Sequence, residues 1–369
     1  MQAQRQRAKR YEAIHNWLFV AETALTLVAL VMLLVADWSR ELTDTSRQLL
    51  PNPWQHVAFY GVVLIVGAKL VFLPLNFFGG FWLEHRFGLS NEKLGGWALD
   101  ELKSLGLNLA LGVVALEVIY FLLRRSGEWW WVGAGGFFLL FGVVLSTLYP
   151  VLILPLFYKL VPLDNESLKA KLVALAQQVG ARVVGVYRMG MSEKTKKANA
   201  AFAGLGKTKR IILGDTLLGN FAEDEIEVVM AHEMAHYRHG DIPKMILWST
   251  LTTLVGFWIA DFGFWIGLQR LGFADRADIG AFPLLALCLF LFGLVVMPLT
   301  NAFSRWREWK ADHAALELTG NAAGFIRAMR KLAEQNLADE SPHPAIEFLL
   351  HDHPSLGRRI KWAEQWRRA

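Results

Sequence analysis

Six stretches of this chain stay apolar for about as long as a bilayer is thick, and the charged residues are arranged around them. A helix needs about 20 apolar residues to cross a membrane. Runs of that kind occupy roughly 17–36, 57–78, 105–123, a part of 129–156, 246–268 and 281–303. The first is too long for the apolar core of a signal peptide, and no small-residue cleavage site follows it, so it reads as a retained helix. The fourth is long enough to hide a second crossing, which sets the expected count at six or seven helices. The intervening pattern divides the chain into membrane helices over 1–157, a polar segment over 158–244, two more membrane helices over 245–303, and a second polar segment over 304–369.

The first polar segment mixes periods. "ESLKAKLVALAQQVG" places Leu168, Leu172, Leu175 and Val179 at helical spacing, with Gly180 as a stop. "ARVVGVYRM" reads as a strand. "NAAFAGLGKTKRIILGDTLL" reads as two short strands around a turn at Gly206–Lys209. The expected fold is therefore a mainly α membrane protein: a transmembrane bundle carrying a small α+β domain.

Composition sharpens this picture. Hydrophobic residues make up 54% of the chain and charged ones 19%, against about 25% charged in an ordinary soluble domain. The net charge of +5 is that of loops facing a cytoplasm rather than of a nucleic-acid binder. One cysteine, Cys288, excludes an intrachain disulfide and a cysteine metal cluster. The start, "MQAQRQRAKR", has four basic and no acidic residues, so it belongs on the cytoplasmic side. Six crossings return both polar segments, with their 13 and 11 Lys and Arg, to that side; Arg124 and Arg125 alone run against the rule. Glu22, Lys69, Asn108, Glu117 and Asp261 interrupt the apolar runs, and ionisable groups there usually face a bundle interior or a water-filled cavity.

The chemistry is concentrated in "FAEDEIEVVMAHEMAHYRHG". Acids in its first turn suit the positive end of a helix, and Gly240 can end it. On that helix His232 and His236 lie one turn apart on one face. Two imidazoles so placed can share a zinc ion, and Glu233 is placed to take a proton from its water: the HExxH arrangement. A catalytic zinc needs a third protein ligand and an open position. "NAFSRWREWKADHAALELTG" offers Glu308 and Asp312 at i, i+4. Glu308 can ligate, and Asp312 can orient a ligating histidine or handle a proton. His239 and His313 are rival ligands. A structural site would instead recruit a fourth protein ligand such as His239.

Four blocks in order, "FWLEHRFGLSNEKLGGWALDELKS" (81–104), "NAAFAGLGKTKRIILGDTLL" (199–218), "HEMAHYRHGD" (232–241) and "NAFSRWREWKAD" (301–312), with a weaker fifth, "HDHPSLGRRIKW" (351–362), resemble the integral-membrane zinc metallopeptidases that include the type I CAAX prenyl proteases. The resemblance spans nearly the whole chain. It implies a helical bundle around a polar chamber with a zincin-like catalytic domain. It implies one zinc per chain on His232, His236 and Glu308, Asp312 and His353 as catalytic groups beside Glu233, and Asn199 and Arg359 near the substrate. Ser355 stands where that family usually has a second proline, and Ala201 where it has an aromatic residue. The implied activity is hydrolysis near the C-terminus of polypeptides, prenylated CAAX substrates among them. Membrane lipid surrounds the protein, and the catalytic parts face the cytoplasm, in the inner membrane of a bacterium or the endoplasmic reticulum of a eukaryote. The alternative is a heat-shock-type protease that degrades misfolded membrane proteins. It shares the zinc helix but is distinguished by the 81–104 and 351–362 blocks.

Overall fold

The computed structural model describes residues 2–366. Helix α1 (Gln2–Val35) is followed by the short α2 (Trp38–Leu49), α3 (Pro53–Asn76) with a π-turn over Phe77–Trp82, and α4 (Leu83–Arg86). Then come α5 (Leu94–Arg125), α6 (Trp130–Leu148) with a second π-turn over Tyr149–Ile153, and α7 (Leu154–Phe157). The first polar segment holds β1 (Leu160–Pro162), α8 (Glu166–Gln178), β2 (Val186–Met189), β3 (Ala200–Ala203), β4 (Arg210–Gly214), α9 (Asp215–Asn220) and α10 (Glu223–Arg238). The chain ends with α11 (Asp241–Leu271), α12 (Phe282–Thr319), α13 (Ala322–Gln335), α14 (Pro344–Leu350) and α15 (Leu356–Trp366).

Six helical stretches are long and apolar enough to cross a membrane: Gln2–Val35, Pro53–Arg86, Leu94–Arg125, Gly127–Phe157, Asp241–Leu271 and Ile279–Thr319. The fourth apolar run is a single helical stretch with a π-turn near Pro150, so it holds one crossing. The spans pack around a ring. Helix α3 lies on α5, α5 on α6, α6 on α11, α11 on α12, and α12 back on α1. Helix α1 reaches α3 directly and through α2. Most lipid-length windows are little buried by protein, as expected when lipid covers the outer face.

Between α1, α3 and α5 lies a cavity of about 1040 Å3 whose wall includes Glu22, Lys69, Glu101, Asn108 and Lys197. Three of the five polar residues that interrupt the apolar runs therefore face an interior space, and Lys69 is paired with Glu101. Asp261 does not. It accepts hydrogen bonds from Trp130 Nε1 (2.7 Å) and Arg276 Nε (2.8 Å) near the far end of the bundle. A second cavity of about 620 Å3 lies between α6, α11 and α12.

The N-terminus sits at the end of the ring that carries the polar segments. Lys197 Nζ donates to Tyr11 Oη (2.8 Å), and the Asp339 backbone N–H donates to Glu12 (3.0 Å). This is the arrangement that six crossings require. Helices α11 and α12 both run unbroken across the divisions at 244 and 303 drawn from the apolar pattern. The polar part of α12 is an unbroken helical continuation of a membrane span.

The sheet has the order β1-β2-β4-β3, with β2 and β4 parallel and the other pairs antiparallel. The hairpin expected at 199–213 is β3 and β4, and β3 is an edge strand. The strand expected over 181–189 is confined to β2, and β1 carried no alternation long enough to read. Leu168, Leu172, Leu175 and Val179 are all buried, packed with Ile211, Leu213, Val228, Met230 and Phe325 into one core. Gly180 stops α8 with φ +74°, a left-handed conformation that glycine adopts without steric cost.

Leu172 is fully buried in that core. Leu172→Ala should cost about 2–5 kcal/mol and lower the thermal midpoint of the detergent-solubilised protein. Val184→Ala, at a position 58% exposed, should leave that midpoint unchanged.

Candidate metal centre

The centre is built from two helices packed side by side, α10 and α12. Helix α10 starts at Glu223 with three acids in its first turn. Glu225 Oε2 accepts from the Ala222 backbone N–H (2.9 Å), and Glu225 also pairs with Lys331 (2.6 Å) and Arg327 (3.2 Å) of α13. The apolar residues Ile226, Val228, Val229, Met230 and Met234 hold the helix in the core. That burial leaves His232 and His236 projecting together, with ring centroids 5.0 Å apart. Glu233, between them in sequence, is half-buried.

Helix α12 brings Glu308 and Asp312, one turn apart, to the same place. Glu308 Oε2 lies 3.1 Å from His232 Nε2, and Oε1 lies 3.2 Å from His236 Nε2. One donor atom from each of His232, His236 and Glu308 lies within 4.8 Å of the other two. The opposite ring nitrogens are engaged elsewhere. His232 Nδ1 meets Asp312 Oδ1 at 2.8 Å, and His236 Nδ1 meets Asp241 Oδ2 at 2.8 Å. A carboxylate at Nδ1 holds the proton there and leaves the Nε2 lone pair for a metal. Glu308 Oε2 is buried, yet makes no well-formed hydrogen bond with any described residue. Two imidazole nitrogens and a carboxylate oxygen with an unsatisfied lone pair fit a divalent transition-metal ion. Burial and Arg359 work to lower the His232 pKa, but Asp312 and Glu308 outweigh them and raise it. His236 is raised by Glu308 against the same effect of burial. A bound cation would take the place of those protons.

Asp312 is fully buried and receives both donors of a bidentate pair, from Arg359 Nε (2.8 Å) and Nη2 (2.6 Å). Arg359 is itself buried, so the group expected beside the substrate has its guanidinium turned onto Asp312. His353 stands at the rim, more than half exposed, with Nε2 3.5 Å from Glu308 Oε1 and Nδ1 2.8 Å from Asp352 Oδ1. Its pKa is raised, chiefly by the bond to Asp352, despite partial burial. Asn199 is exposed at the head of β3, where its carbonyl accepts from the Gly214 N–H (2.9 Å). Strand β3 lies against α10, with the Phe202 and Tyr237 rings 5.7 Å apart.

The rival ligands are elsewhere. His313 faces Glu317 (3.3 Å), and with His239 it lines a separate cleft containing Trp306 and Trp362. Sequence reasoning passed over Asp241. The signal available was an acid directly after the helix-ending Gly240, whose φ of +61° turns the chain back toward His236.

Residues 162–367 match the family described as peptidase family M48, and residues 1–159 match the family described as CAAX prenyl protease N-terminal, five membrane helices. Within that N-terminal part, the described residues of this chain present four helical stretches of spanning length, beside the short, polar α2. An uncharacterized metalloprotease of Bacillus subtilis, YhfN, is 31% identical over 97% of this chain and 85% of its own length. CAAX prenyl protease 1 of Saccharomyces cerevisiae is 30% identical over 83% of this chain and 71% of its own. The crystal structure of S. mikatae Ste24p superposes with a TM-score of 0.86 at 25% identity, covering 98% of this chain and 88% of that one.

Elemental analysis of the purified chain should find one divalent metal ion per molecule. Glu308→Ala and His232→Ala should each lose most of that metal on dialysis. His313→Ala, outside the centre, should keep it.

Proposed function

The chain belongs to peptidase family M48, and from that premise we propose that it is a zinc-dependent endopeptidase cutting peptide bonds near the C-terminus of membrane-associated polypeptides, including prenylated CAAX-type ones. It is an integral membrane metalloprotease. The observation that carries the reading is the convergence of His232, His236 and Glu308 from two packed helices, with Glu233 adjacent on the first. The relatives named CAAX prenyl protease 1 supply the substrate class. The basic N-terminus supports a cytoplasmic location for the catalytic end, in the inner membrane of a bacterium or the endoplasmic reticulum of a eukaryote.

His232, His236 and Glu308 would hold a zinc ion, which when bound would supply Lewis-acid polarisation of a carbonyl and a lowered pKa for water at the site. Glu233 removes the water proton and delivers it to the departing amine. Asp312 keeps His232 in the Nδ1–H tautomer, and Arg359 keeps Asp312 ionised and in place. This assigns Arg359 to orienting the centre instead of touching substrate. His353, biased toward its protonated form by Asp352, is the donor at the rim for negative charge developing on the carbonyl oxygen. The free edge of β3, led by Asn199, can pair with an extended substrate by β-augmentation. The cavity between α6, α11 and α12 adjoins His236 and Glu308, and its wall mixes apolar side chains such as Phe138, Phe141 and Met245 with the hydroxyls of Ser146, Ser249, Thr250, Thr253 and Ser304. It provides a partly apolar space next to the proposed cutting position.

Glu233→Gln should keep its zinc and lose about 10²–10⁴-fold in kcat on a quenched CAAX peptide. His353→Ala should keep its zinc and lower kcat by about 10²–10³-fold with a smaller change in KM. The peptide is presented in farnesylated and unprenylated forms. Faster cleavage of the farnesylated form supports the prenyl-substrate reading. Equal cleavage favours quality control of membrane proteins, and cleavage of neither form by a zinc-loaded protein sinks the CAAX assignment.

A further inference from the structure

We infer that Asp241 and Arg307 are a positioning pair for His236, which ties one arm of the metal centre to the two membrane-spanning helices α11 and α12. The inference rests on the reading of His236 as a zinc ligand. Asp241 is the first residue of α11, and Arg307 precedes Glu308 on α12. Asp241 Oδ2 meets His236 Nδ1 at 2.8 Å, and its other oxygen is paired with Arg307. Asp241 is 4% exposed and Arg307 3% exposed.

Burial on this scale needs a reason, because an ionised side chain removed from water must be paired. Capping α11 is not that reason. Among the described residues no backbone N–H of α11 donates to the Asp241 carboxylate, whose hydrogen-bond partner is His236 Nδ1. The Asp241 carboxylate divides itself between an imidazole and a guanidinium. Its position at a helix N-terminus further favours its charge. The arrangement repeats the one around His232, where Asp312 meets Nδ1 and is itself held by Arg359. Each ligand imidazole thus has an aspartate behind it and an arginine behind the aspartate.

The two arms differ in where they are anchored. The His232 arm runs from α12 to α15, at the C-terminal end of the polar domain. The His236 arm runs from α11 to α12, both of which continue into membrane spans. Without the Asp241 carboxylate, His236 Nδ1 loses the acceptor that holds its proton, and the ring keeps only its Nε2 side to orient it.

The test uses full-length, zinc-loaded protein in detergent, comparing wild type with Asp241→Asn, which preserves side-chain volume, and with Asp312→Asn as the equivalent change on the other arm. Three quantities are read: the rate of zinc loss to an excess of chelator, the visible spectrum after cobalt replaces zinc, and kcat apart from KM. Asp241→Asn should lose zinc about 10–100-fold faster, with an altered cobalt spectrum and a fall in kcat at nearly constant KM. The double variant Asp241→Asn with Arg307→Met should lose zinc no faster than Asp241→Asn alone, because the two residues act as a unit. Wild-type zinc retention and an unchanged cobalt spectrum in a folded Asp241→Asn protein would overturn the pair's assigned role, as would clearly faster zinc loss from the double variant than from Asp241→Asn alone. Absence of zinc from wild type would overturn the metal-site reading itself, and this inference with it.

Discussion

Glu308 faces two imidazoles because α12 does not stop at the membrane surface. The apolar run that ends near Phe303 and the polar stretch that begins at Ser304 are one helix, Phe282–Thr319. The Glu308 carboxylate is therefore fixed by the packing of a membrane span, and α10 must lie along α12 for its histidines to meet that carboxylate. Much of the polar domain serves this juxtaposition. The core around Leu172, Ile211 and Phe325 supports α10 from behind, and Arg327 and Lys331 hold its first turn.

Once the two helices are so close, burial sets the next constraint. Glu308, Asp312, Asp241, His232, Arg307 and Arg359 are all under 10% exposed. Charges in such a place are tolerable only as partners, since removing one member strands the other. The geometry meets this with alternating signs: arginine, aspartate, imidazole and then the shared carboxylate of Glu308, approached from both sides. The consequence is an ordered set of Nε2 lone pairs converging on one point. A surface cluster of the same residues would gain little from pairing and would leave the rings free to rotate.

How legible this was from the chain depended on the range of each interaction. The six crossings were legible because lipid imposes one solution on the backbone and a long apolar run declares it. So were α8, α10 and the hairpin, where period and turn residues are local. Glu308 was visible as a candidate through its spacing to Asp312, but nothing local separated it from His239 or His313. Only the packing of α12 on α10 does that, and a block-by-block family resemblance supplied it indirectly. The Arg359 side chain lies 47 positions from Asp312, and Arg307 meets Asp241 across two helices. Neither pairing has a sequence period. The 81–104 block was recognisable as a pattern, but its work is tertiary: residues 89–91 pair with 194–196, just ahead of β3. The division of the chain into polar and apolar parts misled in one respect, because it implied joints at 244 and 303 where the helices are continuous.

That continuity bears on how such a centre can work at a membrane. A protease domain joined by flexible linkers could sample many heights above the bilayer, and its metal would have no fixed relation to the cavities between the spans. Here the Glu308-bearing part of α12 and the Asp241 end of α11 are the end turns of helices long and apolar enough to span a membrane. Each turn rises 5.4 Å, so Glu308 lies within about two turns of the end of the apolar run near Phe303. The centre is therefore set at the rim of the ring, and the same two helices line the 620 Å3 cavity that reaches His236 and Glu308. A polypeptide held by lipid-soluble groups among the spans would present its polar backbone at that rim without leaving the bilayer entirely. Under the proposed function, the depth of the scissile bond is set by the same helix that carries Glu308.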